Sequence, residues 1–354
     1  MPERKGRRGA PRSRARDDEQ LRHPVEPALE VEGFRAGFVA LVGRPNVGKS
    51  TLLNRLLGQK LAPTTHKPQT TRRNLLGILN PPNGQIALLD TPGLHKAKGP
   101  LNKFMVSQAE QALEEADVLV WVLEVRESPG LTPGNERILD QLKRTAKPVV
   151  VAMNKIDRLP DKTKLLGQLS TLQSLLGGQF TAAVPISARK GKGLERLVVE
   201  MGRALPEGER LYGENALTDQ SERSIASELI REKIMLELRD ELPYAATVTV
   251  DGWEDRRPKI VRIAATVHVE RQAQKAIVIG KGGERLRSIG IRAREELERF
   301  VDSPVYLDLQ VKVSRDWSTN LARLDNLGYV AHSLHPEGPA GVFEISEGLE
   351  GEEP

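Results

Sequence analysis

The sequence predicts two α/β units in tandem. The first is an open, mostly parallel sheet with helices on both faces and one antiparallel edge strand; the second is a smaller α+β domain. Three observations predict this. An apolar strand, Phe38 to Val42, runs into the glycine loop GRPNVGKS and then into an apolar helix. Two further apolar strands, IALLD and KPVVVAM, end on polar residues, at the strand ends where open parallel sheets bind ligands. Beyond the turn-rich stretch Leu205 to Gln220 the pattern changes to a long helix, two strands, two helices joined by GKGG, and a last strand.

Each element has a local reason. NLLGILN and QIALLD flank the turn PPNG, Pro81 to Gly84, which is a hairpin signal and supplies the antiparallel edge. In SERSIASELIREKIMLELRDEL, Ser221 or Ser224 caps a helix, and Ile230, Ile234, Leu238 and Leu242 recur at i+4 as a core-facing stripe. In KIVRIAATVHV, Val261, Ile263, Ala265, Val267 and Val269 alternate inward against Arg262, Ala264, Thr266 and His268. VYLDLQVKV alternates in the same way, with Val305, Leu307, Leu309, Val311 and Val313 inward. Leu286, Ile289, Ala293 and Leu297 form the stripe of the second paired helix. The second domain therefore reads α-β-β-α-α-β.

Composition sets the frame. With 38% hydrophobic and 29% charged residues in a 354-residue chain, a soluble protein of more than one domain is expected. The absence of cysteine excludes disulfides, thiolate metal sites and cysteine nucleophiles. The apolar run Val118 to Leu123 is too short to span a bilayer. The net charge is only +5, but Arg4, Lys5, Arg7, Arg8, Arg12, Arg14 and Arg16 concentrate basic charge near the start. The expected divisions are a disordered basic arm over 1–33, a first folded domain over 34–205 and a linker over 206–220. They continue with a second folded domain over 221–330 and a disordered acidic tail over 331–354.

GRPNVGKS fits GxxxxGK[ST] in the strand-loop-helix setting that the motif requires. Backbone N–H groups and the helix N-terminus face phosphate, Lys49 reaches the terminal phosphates, and the Ser50 hydroxyl ligates Mg²⁺. Asn154, Lys155 and Asp157 of NKID select guanine. The Asp157 carboxylate can accept from the ring N–H and exocyclic amine of guanine, where adenine has no donors. Ser187 and Ala188 of PISAR close over the base. Asp90 holds Mg²⁺ through water, the Gly93 amide meets the γ-phosphate, and a threonine of KPQTTRRN, Thr71 rather than Thr70, caps the metal.

GRPNVGKST, QTTRRN, DTPGLHKAKG, NKID and ISA, in this order and spacing, resemble the translation-factor-related GTPases, and among them the Era group. The resemblance implies a P-loop GTPase domain contacting GTP or GDP through Gly43, Arg44, Pro45, Asn46, Val47, Gly48, Lys49, Ser50 and Thr51. Asp90, Thr91, Pro92, Gly93 and Leu94, and Asn154, Lys155, Asp157, Ser187 and Ala188, complete the set. Lys49, Asn46, Thr71 and Gly93 are the expected catalytic residues; Ser50, Thr71 and Asp90 are the expected Mg²⁺ ligands. Leu94 stands where Ras-like enzymes have a water-orienting glutamine, so slow intrinsic turnover is expected. By resemblance, Asn46 is associated with K⁺, which acts where an arginine finger would. His95, on the same stretch, is read as a solvated side chain.

GKGG fails as a second nucleotide loop, because Glu284 and Arg285 stand where such loops need Lys with Ser/Thr, or Gly. A G-x-x-G turn between two helices instead resembles a type II KH domain clamping single-stranded RNA. Gly280, Lys281, Gly282, Gly283, Lys275, Arg285 and Arg287 are the expected RNA contacts, Gly280 and Gly283 allowing close approach. Trp317 is read as an anchor rather than a base-stacking platform.

The Era resemblance covers Phe34 to Tyr329. It implies a monomeric, cytoplasmic factor for small-subunit maturation, binding 16S ribosomal RNA near its 3′ end and the 30S subunit, with loose inner-membrane association. Two alternatives remain: an RNA clamp in which hydrolysis serves only release, and a related GTPase with another task. The single P-loop and the missing cysteine count against Der-like and tRNA-modifying relatives.

Overall fold

The computed structural model describes residues 23–93, 99–125, 131–161, 163–239 and 242–329, with the backbone of 343–344. The first domain is built on a six-stranded sheet of order β2-β3-β1-β4-β5-β6. Its strands are β1 (Arg35–Val42), β2 (Leu75–Leu79), β3 (Gly84–Asp90), β4 (Val118–Glu124), β5 (Val149–Asn154) and β6 (Phe180–Pro185). All neighbours run parallel except β2, which pairs antiparallel with β3 across the PPNG turn. Asn83 takes the left-handed conformation in that turn, at φ 65°. Five helices cover the sheet: α1 (Lys49–Leu57), α2 (Pro100–Glu115), α3 (Pro133–Thr145), α4 (Lys164–Leu176) and α5 (Leu194–Ala204). The central strands are buried on both sides, which is why they read as unbroken apolar runs rather than as alternation.

Two boundary expectations change. The arm expected over 1–33 is packed from residue 23 onward. Val25 N–H donates to the Leu56 carbonyl at 2.7 Å, and Leu29 is fully buried. Leu29 fills the space over Gly84 and Gly202, where an added Cβ would overlap it. The stretch expected as a linker, 206–220, is likewise a packed strap. Gln85 Oε1 accepts from the Leu211 and Tyr212 amides, both at 2.8 Å, and β7 (Ala216–Thr218) is buried. The backbone of β11 (Phe343–Glu344) pairs antiparallel with β7, so the expected tail contributes to the fold there.

The second domain has α6 (Glu222–Glu237), β8 (Thr247–Arg256), β9 (Ile260–Val269), α7 (Gln272–Ile279), α8 (Glu284–Val301) and β10 (Val305–Val313). Ser221 caps α6 by accepting from the Ser224 amide at 3.3 Å. The sheet order is β10-β9-β8, with β8 antiparallel and β10 parallel to β9. Some of its alternating positions depart from the simple pattern. His268, on the outward face of β9, is buried between the Thr249 and Ser314 hydroxyls, each 2.9 Å from a ring nitrogen. Burial pushes its imidazole below the usual range. Leu307, Leu309 and Val313, expected inside, are only half-buried.

Beyond β10, Trp317 is fully buried. Its indole N–H donates to the Ala245 carbonyl at 3.1 Å, and its ring stacks on Tyr329 with centroids 6.0 Å apart. It anchors the segment that carries the short helix α9 (Leu321–Asn326). One hydrophobic cluster runs from α1 and α5 into α6, β9 and α8, so the two domains share a core.

Candidate functional site

The glycine loop joins β1 to α1 and forms one end of a pocket of about 390 Å³. Gly48, in the left-handed region at φ 106°, turns the chain into α1. A Cβ there would meet Asn154 Nδ2 at 2.5 Å. The space is needed because Asn154 Nδ2 donates to the Val47 carbonyl at 2.8 Å and ties the phosphate loop to the end of β5. Lys49 is buried, its Nζ donating to the Gly43 carbonyl at 3.0 Å and to that of Arg44 at 3.4 Å. Burial pushes its ammonium below the usual range, and Asp90 opposes that.

Beneath the loop, Asp90 Oδ2 accepts from the Ser50 hydroxyl at 2.6 Å and from the Thr71 hydroxyl at 3.1 Å. The two hydroxyl oxygens lie 2.9 Å apart. Asp90 Oδ1 is buried without a partner, and burial raises the carboxyl against the pull of Lys49. An orphaned buried carboxylate oxygen beside two hydroxyls is a hard, all-oxygen donor set, which fits Mg²⁺. No cluster of three or more His, Cys, Asp or Glu occurs among the described residues. Thr70 points elsewhere, its hydroxyl meeting that of Thr65 in the same loop, 2.7 Å away, and the Lys67 carbonyl at 2.9 Å.

The far end of the pocket is the NKID turn. Asn154 Oδ1 accepts from the Ala188 amide at 3.0 Å and joins this turn to the loop after β6. Lys155 takes a left-handed φ of 68°; its Nζ donates to the Asn46 carbonyl at 2.8 Å and lies 3.0 Å from Glu124 Oε2. Asp157 is exposed and lines the pocket. The Ser187 hydroxyl donates to its Oδ1 at 2.6 Å and holds the carboxyl below the usual range. An ionised carboxylate therefore stands open at this end, with acceptor capacity to spare.

The structure does not bring every expected nucleotide residue to the pocket. Pro45, Asn46, Gly48, Lys49, Ser50, Thr51, Thr71, Gly93, Asn154, Lys155, Asp157 and Ala188 line it. Ser187 acts from behind Asp157. Arg44 turns away, donating to the Thr132 hydroxyl at 3.0 Å. Thr91 is buried and bonds the Leu41 carbonyl at 2.8 Å. Pro92 is not among the lining residues, and Leu94 and His95 lie outside the described residues. Sequence reasoning missed the second wall, Pro63 to His66 with Gln69, and Arg158 and Arg189 at the base end. Nothing in PTTH marks it as a pocket wall, because the loop reaches the site only through tertiary packing.

The second site stands on α7 and α8. Gly280, Gly282 and Gly283 all take positive φ, 76°, 59° and 79°, and the positions of Cβ at Gly282 and Gly283 are open space. The turn thus presents bare backbone with exposed Lys281. Gly280 is used differently from the expectation: a Cβ there would meet Arg285 Cβ at 2.8 Å, so it is needed for the turn's own packing. Arg285 donates to the Ile277 carbonyl at 2.5 Å and caps α7. A groove of about 410 Å³ runs from Gly283 along α8 to β10. Its walls are Leu286, Ile291, Leu307 and Leu309, with Arg287 and the unexpected Arg294 among the lining residues. Lys275 and Arg285 are not part of that lining. An apolar floor with basic edges beside an open glycine turn suits unstacked bases and the backbone joining them.

Residues 38–155 match the family of 50S ribosome-binding GTPases, and residues 241–318 match the KH domain family. GTPase Era of Geobacter sp. (strain M21) is 45% identical over 296 residues, covering 84% of this chain and 98% of that protein. The chain belongs to the Era GTPase family. Era of Xylella fastidiosa (strain M12) is 46% identical over 297 residues, with the same coverage. Among solved structures, Era in complex with MgGDPNP and nucleotides 1506–1542 of 16S ribosomal RNA superposes with a TM-score of 0.78. That Era is 41% identical and covers 84% of this chain and all of its own. A point variant of Aquifex aeolicus Era bound to GDP.AlF4⁻ superposes at 0.79, also at 41% identity and with the same coverage. The Era family thus accounts for both the GTPase pocket and the KH groove, joined by one shared core.

Proposed function

We propose that this chain is a GTP-hydrolysing switch that holds single-stranded RNA at the 3′ end of 16S ribosomal RNA and acts in assembly of the 30S subunit. The observation that carries the reading is the coexistence of two separate phosphate-handling sites. One is a pocket ending in the ionised Asp157; the other is an open glycine turn above an apolar groove. The relative that superposes on this chain was solved with a guanine nucleotide analogue, Mg²⁺ and that RNA. The description of the first matched family names the 50S subunit, but the second domain and the 16S-bound relative favour the small one.

Ser50, Thr71 and Asp90 would hold Mg²⁺, which supplies charge neutralisation at the phosphates. Lys49 and the loop amides bind and orient GTP, Asn154 and Asp157 fix the base, and the Gly93 amide meets the terminal phosphate. Both sites lie on one chain, and we read the protein as a monomer acting in the cytoplasm beside the ribosome. No helix among the described residues is long and apolar enough to cross a membrane. We read any inner-membrane association as peripheral.

The experiment compares affinity for an RNA of nucleotides 1506–1542 with that for transfer RNA, under a non-hydrolysable GTP analogue and under GDP. The 16S segment should bind more tightly than transfer RNA, and more tightly with the analogue than with GDP. Equal affinity in both nucleotide states removes the switch, and preference for transfer RNA removes the ribosomal assignment.

Asn46 supports one finer reading, a K⁺ at the phosphates. It is exposed at the mouth of the pocket at φ 64°, and its Nδ2 donates to the His66 carbonyl at 2.9 Å, which fixes the side-chain amide. Turnover should be several-fold faster in K⁺ than in Na⁺; equal rates remove the K⁺ role.

A further inference from the structure

The stretch from Lys60 to Asn74, between α1 and β2, carries Thr71 but pairs with no strand of the sheet. An irregular segment keeps a hydroxyl within 3.1 Å of Asp90 only if its backbone is fixed by something else. In this chain Asn54, Asn46 and Gln108 of the first domain hold the backbone at Leu61, Ala62, His66 and Asn74, but the residues on either side of Thr71 are held by the second domain. The Thr64 amide donates to Glu232 Oε2 at 2.9 Å. One residue before Thr71, the Thr70 carbonyl accepts from Arg231 Nη2. One residue after it, the Arg72 guanidinium donates to the Tyr244 carbonyl at 2.7 Å, the Ala246 carbonyl at 2.9 Å and the Tyr329 hydroxyl at 3.2 Å.

We infer that Arg231 is a positioning residue for Thr71, so that the RNA-binding domain completes the Mg²⁺ side of the nucleotide pocket. The inference rests on the reading of Thr71 as the threonine that caps the metal.

The burial and pairing of Arg231 support a directed role. It is fully buried on α6, with Nη2 2.5 Å from Glu228 Oε2 and Nε 3.1 and 3.2 Å from the two carboxylate oxygens. Its charge is neutralised on its own helix. What remains for Thr70 is one donor aimed by a locked guanidinium, not a diffuse field. Thr70's own hydroxyl gives no anchorage to the sheet, because its partners Thr65 and Lys67 lie in the same loop. Arg231 and Arg72 do not line the pocket, so they act on nucleotide through the loop they hold, where Thr70 and Thr71 both line it and Thr71 carries the hydroxyl at Asp90.

A bond that places Thr71 matters for the triphosphate state, in which the threonine meets the metal, and not for the diphosphate. Purely structural packing between the domains would not separate the two nucleotides. The test is titration of the full-length protein with fluorescent GDP and with a non-hydrolysable fluorescent GTP analogue at fixed Mg²⁺. The variants are Thr71→Ala, Arg231→Lys and the double substitution E228M/R231M. The double variant removes the buried pair together; because Glu228 also faces Arg72 and Arg73, Arg231→Lys, which keeps that carboxylate, is its control.

Thr71→Ala and E228M/R231M are each expected to weaken the analogue about tenfold, the loss equivalent to one charge-assisted hydrogen bond, with GDP changed by less than about twofold. Arg231→Lys keeps a donor without the fork and should fall between wild type and the double variant. If Thr71→Ala discriminates between the nucleotides while the Arg231 variants leave both unchanged or weaken both in parallel, the positioning role is overturned alone. If Thr71→Ala itself fails to discriminate, the reading of Thr71 falls and the inference falls with it.

Discussion

Asp157→Asn is expected to lower GTP affinity by about 10²- to 10⁴-fold, the equivalent of two lost hydrogen bonds to a charged acceptor. The carboxylate is exposed at the base end of the pocket, and the Ser187 hydroxyl bonded to Oδ1 at 2.6 Å keeps it ionised. Each carboxylate oxygen has further acceptor capacity, which suits the two donors on the edge of guanine. An asparagine keeps one acceptor and turns the other position into a donor. It should therefore favour xanthosine triphosphate, whose ring keeps the N–H and carries a carbonyl where guanine has its amine. Competition binding of GTP and xanthosine triphosphate to wild-type and variant protein measures both effects. An unchanged GTP affinity, or no gain for the xanthine nucleotide, would show that Asp157 does not read the base.

Where function depends on local chain geometry, the sequence was a good guide. A strand, a glycine loop and a helix in succession put Gly48, Lys49 and Ser50 at one end of the pocket. The turn after β5 puts Asn154 and Asp157 at the other. The hairpin through PPNG places β2 at the antiparallel edge. What escaped the sequence depends on contacts between distant segments. Val25, Leu29 and Val31 are scattered among prolines and glutamates in no clean helical or strand period, and the hollow over Gly84 and Gly202 explains the burial of Leu29. Residues 206–220 look like a linker because their turns are real, yet Gln85 from β3 satisfies their amides and β7 is buried.

The RNA groove shows the same limit from the other side. Leu307 and Leu309 alternate as core residues should, and only their half-exposed position beside α8 makes them a groove wall. Arg294 has the ordinary appearance of a solvated helical arginine, whereas Arg285, near the glycine turn in sequence, is used to cap α7. Arg231 gives no sign in a helical pattern that its partner is the carbonyl beside Thr71.

The central claim is that one chain handles phosphate twice, at two sites that can be damaged separately. The double substitution K281D/G282D tests it. It replaces one positive charge with two negative ones on a turn whose backbone lies open, where phosphate contacts supply affinity. Gly282 has a φ of 59°, which aspartate tolerates better than most residues, and no atom lies within 4 Å of its Cβ position, so the fold should persist. The measurement is binding of the 16S 3′-end RNA and of GTP by the same preparation of wild-type and variant protein. RNA affinity should fall at least about 100-fold, to the non-specific level, with GTP affinity within about twofold of wild type. Loss of both activities together, or retention of RNA binding, would contradict the account.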